Sequence, residues 1–450
     1  MPIILAKNLY QHQKKAVVKC LKKKRFGLFY DMGTGKTRIM LYVIKNLNKF
    51  KGIKALIICP LSIIETAWLE DAKVCGVKIH NLRKKFKLSD NYIVNYESFF
   101  KWHDKIKQLD PKIDCIILDE SIKVKTPNAK ITKAIYFWIR KHCPSFKYIM
   151  TGNPTPNSLL ELFSQIRMID ESVFGTIFAR YKDMYFRKVG YNYIISKRNK
   201  EIIYQKIAGI TEFLKKEDCI DLPDRINIIR KIQLPNKVMR DYYIRMKKQM
   251  VVEIENELKM KQKISATNIA IKIMKLRQIL SGFIYDKDKN ALRIDNSKFK
   301  ELKYLLEILK PEQVLVWCCF REDIDYIYEQ LKDKESVTFI YGGLNDKTRN
   351  ERIKGFQEGK YRILVAHPQS IGHGLTFVNC RYAIYYSLDY NLDTHQQSRD
   401  RIYRIGQKKK VVYYYLLVDK SIDFYIYNAL KKKRVVLEDM IEYLRKEVKK

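Results

Sequence analysis

Acidic residues are scarce in this chain. It has 49 Asp and Glu against 88 Lys and Arg, a net charge of +39. Such a surplus creates a field that draws in polyanions, and nucleic acid is the obvious one, although a chain rich in Lys, Ile, Tyr and Asn is also what an AT-rich genome encodes. No window approaches ~18 consecutive apolar residues, the length a membrane-spanning helix needs. The N-terminus, Met1 to Lys7, is too short for a signal peptide, so a soluble protein of the cytoplasm that makes no use of a membrane is expected. The nine cysteines (20, 59, 75, 115, 143, 219, 318, 319 and 380) include no C-x-x-C pair, and several lie in strand-like apolar runs. They are expected to be reduced core thiols, neither a zinc site nor a disulfide framework. At 450 residues and 46% hydrophobic content the chain can bury the cores of two or three domains, which excludes a disordered polymer.

The rest of the chain is organised around Tyr30-Asp31-Met32-Gly33-Thr34-Gly35-Lys36-Thr37. The apolar run Phe26-Gly27-Leu28-Phe29 precedes it, and Ile39, Met40, Val43, Ile44 and Leu47 recur behind it at helical spacing. Strand, glycine loop and helix form a phosphate-binding arrangement. The glycines let backbone N–H groups close on a polyphosphate at the positive end of a helix, Lys36 adds a fixed cation, and the Thr37 hydroxyl can ligate Mg²⁺. The strict phosphate-loop pattern has glycine where this chain has Tyr30, so an ordinary Gly-rich turn is the competing reading.

A phosphate loop needs a metal-binding acid on a nearby strand. The apolar run Ile113-Asp114-Cys115-Ile116-Ile117-Leu118 ends in Asp119-Glu120-Ser121-Ile122, placing two carboxylates at the carboxyl end of a buried parallel strand. Asp119 is expected to hold Mg²⁺ through water, and Glu120 to orient and deprotonate the attacking water. A helix cap at Asp119 is the plainer alternative.

Gln13, on the helical stretch Leu9 to Val17, either reads an adenine edge with its amide or is a solvated residue on an amphipathic helix. Further strands are expected at Ile53–Cys59, stopped by Pro60 with Leu61-Ser62 placed to meet phosphates, at Tyr92–Asn95 before Tyr96, and at Phe146–Met150, which would bring Thr151 and Gly152 near a γ-phosphate. Strands alternating with helices at this spacing predict βαβ units and a parallel sheet. From about Leu159 to Leu280 the periodicity is mostly helical, interrupted at Leu222-Pro223 and Leu234-Pro235. Within it, the run from Tyr242 to Lys263 is either a solvated amphipathic helix or a Lys face lying along DNA.

From Pro311 the α/β rhythm returns, with strands expected at Val314–Phe320, Thr338–Tyr341, Arg362–Ala366 and Tyr382–Tyr386. This half has no phosphate loop of its own. It offers the glycine-rich turn Ser370-Ile371-Gly372-His373-Gly374-Leu375, and the stretch Gln397 to Gln407, predicted to be helical with Arg401 and Arg404 on one face. Two guanidinium groups are what a dispersed phosphoryl transition state needs. The tail Lys431 to Lys450 reads as a basic amphipathic helix.

The order of these pieces resembles the superfamily-two helicases of the Swi/Snf type over nearly the whole chain, most closely the compact versions carried by large tailed phages. Gln13, Asp31 to Thr37, Asp119 to Ile122, Thr151 to Pro154, Lys215 to Asp218 with Leu222-Pro223, Leu276 to Ile279, Gly372 to Leu375 and Gln397 to Gln407 carry the likeness. Ile122 stands where the family often has His. The resemblance implies an α/β fold of two RecA-like parallel-sheet lobes with a mainly helical insertion between them. The expected divisions are residues 1–225, 226–296 and 297–450. It further implies ATP and Mg²⁺ as cofactors, with nucleotide held by Gln13, Met32, Gly33, Thr34, Gly35, Lys36, Thr37, Asp119, Gly374, Arg401 and Arg404. DNA contacts are expected at Pro60, Ser62, Asn95, Tyr96, Ser370 and Gly372, and coupling at Thr151 and Gly152.

A monomeric DNA helicase is expected, one that unwinds or branch-migrates forks and junctions in replication, recombination or repair, alongside other proteins of those processes. A phage-encoded chain would act in the cytoplasm of the infected bacterium. The nearer rival is a duplex translocase that displaces proteins without separating strands. The farther one is a nucleic-acid-binding protein with a dead ATP site.

Overall fold

The computed structural model describes residues 3–431 apart from 111, 157, 190–191, 220–221, 234–236, 260–265, 289 and 372–374. Two compact units divide the chain, with the main break between Asp221 and Leu222.

In the first unit the strands are β1 (Arg25–Tyr30), β2 (Lys54–Cys59), β3 (His80–Asn81), β4 (Tyr92–Asn95), β5 (Ile113–Asp119), β6 (Phe146–Met150), a separate antiparallel hairpin β7 (Phe186–Val189) with β8 (Asn192–Ile195), and β9 (Thr211–Leu214). Seven of them form one parallel sheet in the order β3-β4-β2-β5-β6-β1-β9. The central strands are mostly apolar because both faces are covered, the signature of a doubly wound sheet. Leu28, Ile57, Ile93 and Ile117 pack on one side with Val17, Ile39 and Val43, while Phe29, Ile58, Val94 and Leu118 pack on the other with Phe99, Ile135 and Phe163.

The second unit holds β10 (Arg225–Ile232), the antiparallel pair β11 (Phe283–Tyr285) and β12 (Ala291–Arg293), then β13 (Val314–Trp317), β14 (Val337–Ile340), β15 (Ile363–Ala366), β16 (Tyr382–Tyr385) and β17 (Val411–Val418). Six of these make a parallel sheet in the order β10-β17-β16-β13-β15-β14. Two parallel sheets clad in helices match the expected fold class. Among the described residues no helix is long and apolar enough to cross a membrane.

Where the sequence predicts a mainly helical middle, the structure inserts four strands. β10 runs along β17 over its full length and belongs to the second unit. The reason is that β7, β8 and β9 have only four residues each, and β10, at a sheet edge, leaves Arg225, Ile226 and Asn227 exposed. Short or half-solvated strands lack the unbroken apolar run that marks a central one. The helix Lys237–Lys259 does form, with Met239 and Tyr243 buried and Tyr242 and Ile244 exposed. The C-terminal tail beyond residue 431 lies outside the described residues.

Asp323 is a buried carboxylate in the first turn of the helix Arg321–Leu331. Its Oδ2 accepts from Ser281 Oγ at 2.9 Å and Ser387 Oγ at 3.2 Å, and Arg293 lies 3.9 Å from Oδ1. Burial, opposed by the Arg293 and Lys298 charges, pushes its pKa from 3.8 up to about 6. The native state then holds this proton where the unfolded chain releases it. Its stabilising effect is full below about pH 3.8 and is lost as pH rises through about 6. Asp323→Asn is expected to flatten the stability profile across that window, as read by denaturant unfolding at fixed ionic strength.

Candidate active site

The loop after β1 turns on Gly33 (φ 82°) and Gly35 (φ 83°), left-handed conformations that an L side chain resists. A Cβ at Gly35 would also collide with Gln13 Nε2. Gly35 caps the helix Lys36–Lys51, so the loop's N–H groups gather at a positive helix end. Lys36 is buried, its Nζ donating to the carbonyls of Tyr30 (2.7 Å) and Asp31 (3.3 Å) at the root of the loop. Thr34 Oγ1 donates to Asp31 O (2.9 Å), and Thr37 is half-buried in the first helical turn.

Gln13 is buried, which excludes the solvated alternative. Its Nε2 donates to Thr34 O (3.0 Å) and its Oε1 accepts from Tyr10 N (3.1 Å), so in this structure the amide ties the first helix to the phosphate loop. His12 Nε2 meets the same carbonyl at 2.9 Å.

Adjacent strands β5, β6 and β1 deliver the acids, Thr151 and the loop to one end of the sheet. Asp119 is buried. Its Oδ2 accepts from Trp68 Nε1 (2.8 Å), its Oδ1 from Glu120 N (2.9 Å), and its carbonyl from Tyr96 Oη (2.7 Å). Burial, and next the Glu120 carboxylate, push the Asp119 pKa up to about 7 against the pull of the Trp68 donor and Lys36. Glu120 adopts φ 52°, a strained position for a non-glycine residue, and its Oε2 accepts from Thr151 Oγ1 at 3.0 Å. Gly152 faces Met32, and a Cβ there would meet Met32 Cγ at 3.1 Å. Lys36, Asp119, Glu120 and Thr151 thus all belong to one lobe.

Sequence reasoning misses several supports because the partners lie far apart in the chain. Trp68 sits on the π-helical turn Ile64–Leu69 that follows the Pro60–Ser62 loop, and no spacing rule marks it. Ser121 Oγ donates to Gln165 Oε1 (2.8 Å), whose Nε2 donates to Pro154 O (2.7 Å), linking the acidic motif to the Thr151 loop. Lys216 N donates to Asp31 Oδ2 (3.1 Å), and Tyr30 Oη donates to Glu212.

Two expectations need correction. Tyr96 is buried with its hydroxyl committed to Asp119 O, so its side chain is not presented to DNA; it opens the helix Tyr96–Leu109, and core packing takes the ring inward. Arg401 and Arg404 share no helical face, because the helix Leu392–Arg399 is capped at Asp400 and residues 401–406 run through turns closed by Gly406 at φ 97°. Arg401 is buried in the second unit, where its Nη2 donates to Ile371 O at 3.3 Å, and burial, then Arg404, lowers its pKa to about 10.

Among the expected DNA contacts, Pro60 caps the 3₁₀ turn Leu61–Ile63 and Ser62 lies within it, half-buried. Asn95 is buried and donates to Glu97 Oε2 (2.6 Å), and Ser370 is half-buried in a turn. Gly372 and Gly374 lie outside the described residues.

A glycine loop, a buried lysine and paired carboxylates at the carboxyl end of a parallel sheet define a nucleoside-triphosphate-hydrolysing lobe. A profile described as the SNF2-related domain matches residues 10–282, and one described as the helicase conserved C-terminal domain matches residues 297–406. The chain belongs to the SNF2-related family and is an ATP-dependent helicase or translocase, a DNA-dependent ATPase, as the Swi/Snf resemblance implied.

It is 23% identical to protein p41 of Acyrthosiphon pisum secondary endosymbiont phage 1, over 94% of this chain and 95% of that one. Against an uncharacterized ATP-dependent helicase of Mycoplasma genitalium the identity is 25%, over 96% of this chain and 42% of that protein. Against human DNA repair and recombination protein RAD54B it is 24%, over 94% and 54%. The chain therefore spans about half the length of these last two. A solved structure of the Sulfolobus solfataricus SWI2/SNF2 ATPase core in complex with dsDNA is 22% identical, over 99% of this chain and 96% of that one, with a TM-score of 0.46.

Proposed function

We propose that this chain is an ATP-driven DNA motor that unwinds or branch-migrates forks and junctions in replication, recombination or repair. One observation carries the ATP-hydrolysing part of the reading: Glu120, in a strained conformation beside the buried Asp119, is held by Thr151 at the end of the sheet that also presents Lys36. Lys36 meets the phosphates, Glu120 takes the proton of the attacking water, and the Thr151 bond orients it for that work. Arg401 and Arg404 supply the charge that a phosphoryl transition state requires. Gln13 and Met32 to Thr37 surround the nucleotide.

The donor set fits Mg²⁺. Thr37 and Asp119 offer hard oxygen ligands, and a buried carboxylate whose pKa stands near 7 beside a second carboxylate is only partly compensated by the Lys36 charge. Bound there, Mg²⁺ would neutralise charge on the phosphates. The Trp68 donor orients Asp119 for that role. Trp68→Phe keeps the ring and removes the N–H, and is expected to raise the Mg²⁺ concentration for half-maximal turnover by about 10–100-fold, as read by metal titration of ATP hydrolysis.

The +39 charge supports binding governed by DNA phosphates, steeply weakened by salt and with little sequence preference. Pro60, Ser62, Asn95, Ser370 and Gly372 are the proposed contacts. Action as a monomer is part of this reading, and the similarity to a phage protein supports action in the cytoplasm of a bacterial host. Strand release from labelled forked, four-way and tailed duplexes tests the proposal. ATP-dependent release by the wild type, absent in Glu120→Gln, is expected. ATP hydrolysis on DNA without any release would replace it with a duplex translocase that displaces bound proteins.

A further inference from the structure

The open flank of β9, the edge strand of the first sheet, carries a groove with a cavity of about 590 Å³. Lys19 and Lys23 line it from the helix Gln11–Lys23, where they lie one turn apart, and Tyr204 lines it from the helix Lys197–Ala208. Phe26, Glu212 and Phe213 complete the wall. Apart from Glu212, which holds the Tyr30 hydroxyl, none of these residues belongs to the ATP site described above.

Two features of the groove are costly in water. Phe213 is 49% exposed and Tyr204 37% exposed, although both are large aromatics. Their rings stand edge to face, with centroids 6.0 Å apart and an angle of 88°, so both present ring surface along the groove. Phe213 is held from behind by Phe29, with centroids 5.0 Å apart. Such a fixed and exposed aromatic pair is a platform for a flat partner.

The charges select among flat partners. Glu212, the acid of the groove, is already paired with Lys19 and with the Tyr30 hydroxyl. Lys23 adds positive charge on one wall, and Lys200, which is not itself a lining residue, brings its Nζ to 5.9 Å from the ring centre of Tyr204 on the other. An aromatic floor between cationic walls matches a flat, apolar-faced base joined to an anionic phosphate. In a duplex the base faces are stacked on one another, so the match requires an unpaired base.

We propose that this groove binds an unpaired nucleotide of a nucleic-acid single strand, with the base stacked on Phe213, the perpendicular Tyr204 ring against the base edge, and the phosphate held by Lys23 and Lys200. The site is also connected to the nucleotide loop. Glu212 holds the Tyr30 hydroxyl, the Tyr30 carbonyl accepts from Lys36 Nζ at 2.7 Å, and β9 continues into Leu214, whose carbonyl accepts from Asp31 N at 3.0 Å. A strand seated in the groove therefore lies against the element that braces the phosphate loop. The inference rests on the DNA-motor reading only for the source of the strand, which would be one released or left unpaired at a fork.

The test uses the full chain and fluorescence anisotropy with labelled oligo(dT) and a blunt duplex of equal length. Phe213→Ala is expected to weaken oligo(dT) binding by about 5–100-fold, the cost of losing one stacked base, Tyr204→Ala to weaken it less through the lost edge contact, and both to change duplex binding far less. Tyr204→Phe keeps the ring and is expected to bind as the wild type does, which separates lost stacking from a damaged fold. Photocrosslinking of an iodouracil-substituted strand is expected to label peptides containing Tyr204 or Phe213. Unchanged oligo(dT) affinity in the alanine variants, an equal loss on both probes, or crosslinks confined to other peptides would each overturn the groove. Failure of the motor reading would register elsewhere, as ATP turnover by the wild type that DNA does not stimulate.

Discussion

With Gln in place of Glu120, ATP turnover on DNA is expected to fall by about 10²–10⁴-fold, the contribution typical of a positioned general base. The substitution keeps size and hydrogen-bonding capacity, so Thr151 Oγ1 can still donate to the side-chain oxygen. What is lost is the ability to accept a proton from water. Nucleotide and DNA binding are expected to persist, because neither relies on the charge of that side chain. Single-turnover hydrolysis measured beside equilibrium nucleotide binding checks both halves of the expectation. Near-normal turnover would remove Glu120 from the chemistry.

Lys36→Ala has the second large effect, a fall in turnover of about 10²–10³-fold or more, in the range seen when one preorganised charge-stabilising donor is removed. Here nucleotide affinity is expected to fall as well, which distinguishes this variant from the Glu120 one. In the structure Lys36 Nζ donates to the Tyr30 and Asp31 carbonyls, so the ammonium is held at the root of the loop. Its removal leaves those carbonyls without that donor, and a modest loss of thermal stability should accompany the loss of activity. A circular-dichroism melt run beside the kinetics separates the two contributions.

The parts of this site that were legible in the sequence are those in which chemistry and spacing are local. Gly33, Gly35 and Lys36 fall between an apolar run and a helical period, and Asp119-Glu120 closes another apolar run. Each signature is contained in about ten residues, so tertiary structure had little room to override it. The Thr151 loop was legible for the same reason.

What holds these residues in place was not legible. Trp68 reaches Asp119 across 51 positions, and Tyr30 reaches Glu212 across 182. Nothing in a Trp inside an apolar stretch announces which acid its N–H will meet. Tyr96 misled in the opposite direction: its place after a strand suggested a surface contact, while the ring turned into the core and its hydroxyl found the Asp119 carbonyl. The Arg401 and Arg404 spacing of three suited a helix, but the chain leaves the helix at Asp400 and turns through Gly406. The spacing rule applies only while the helix lasts. β9 and β10 escaped for a related reason, since edge strands of mixed polarity do not show the continuous apolar run of a central strand.

The measurement that bears most directly on the account is steady-state ATP hydrolysis by the wild-type chain, with and without duplex DNA, across a salt series. The account predicts turnover that DNA stimulates, with the DNA concentration for half-maximal stimulation rising steeply as salt is added. Turnover that is the same with and without DNA, or its absence under every condition, would contradict the assignment of this chain as a DNA-driven ATPase motor.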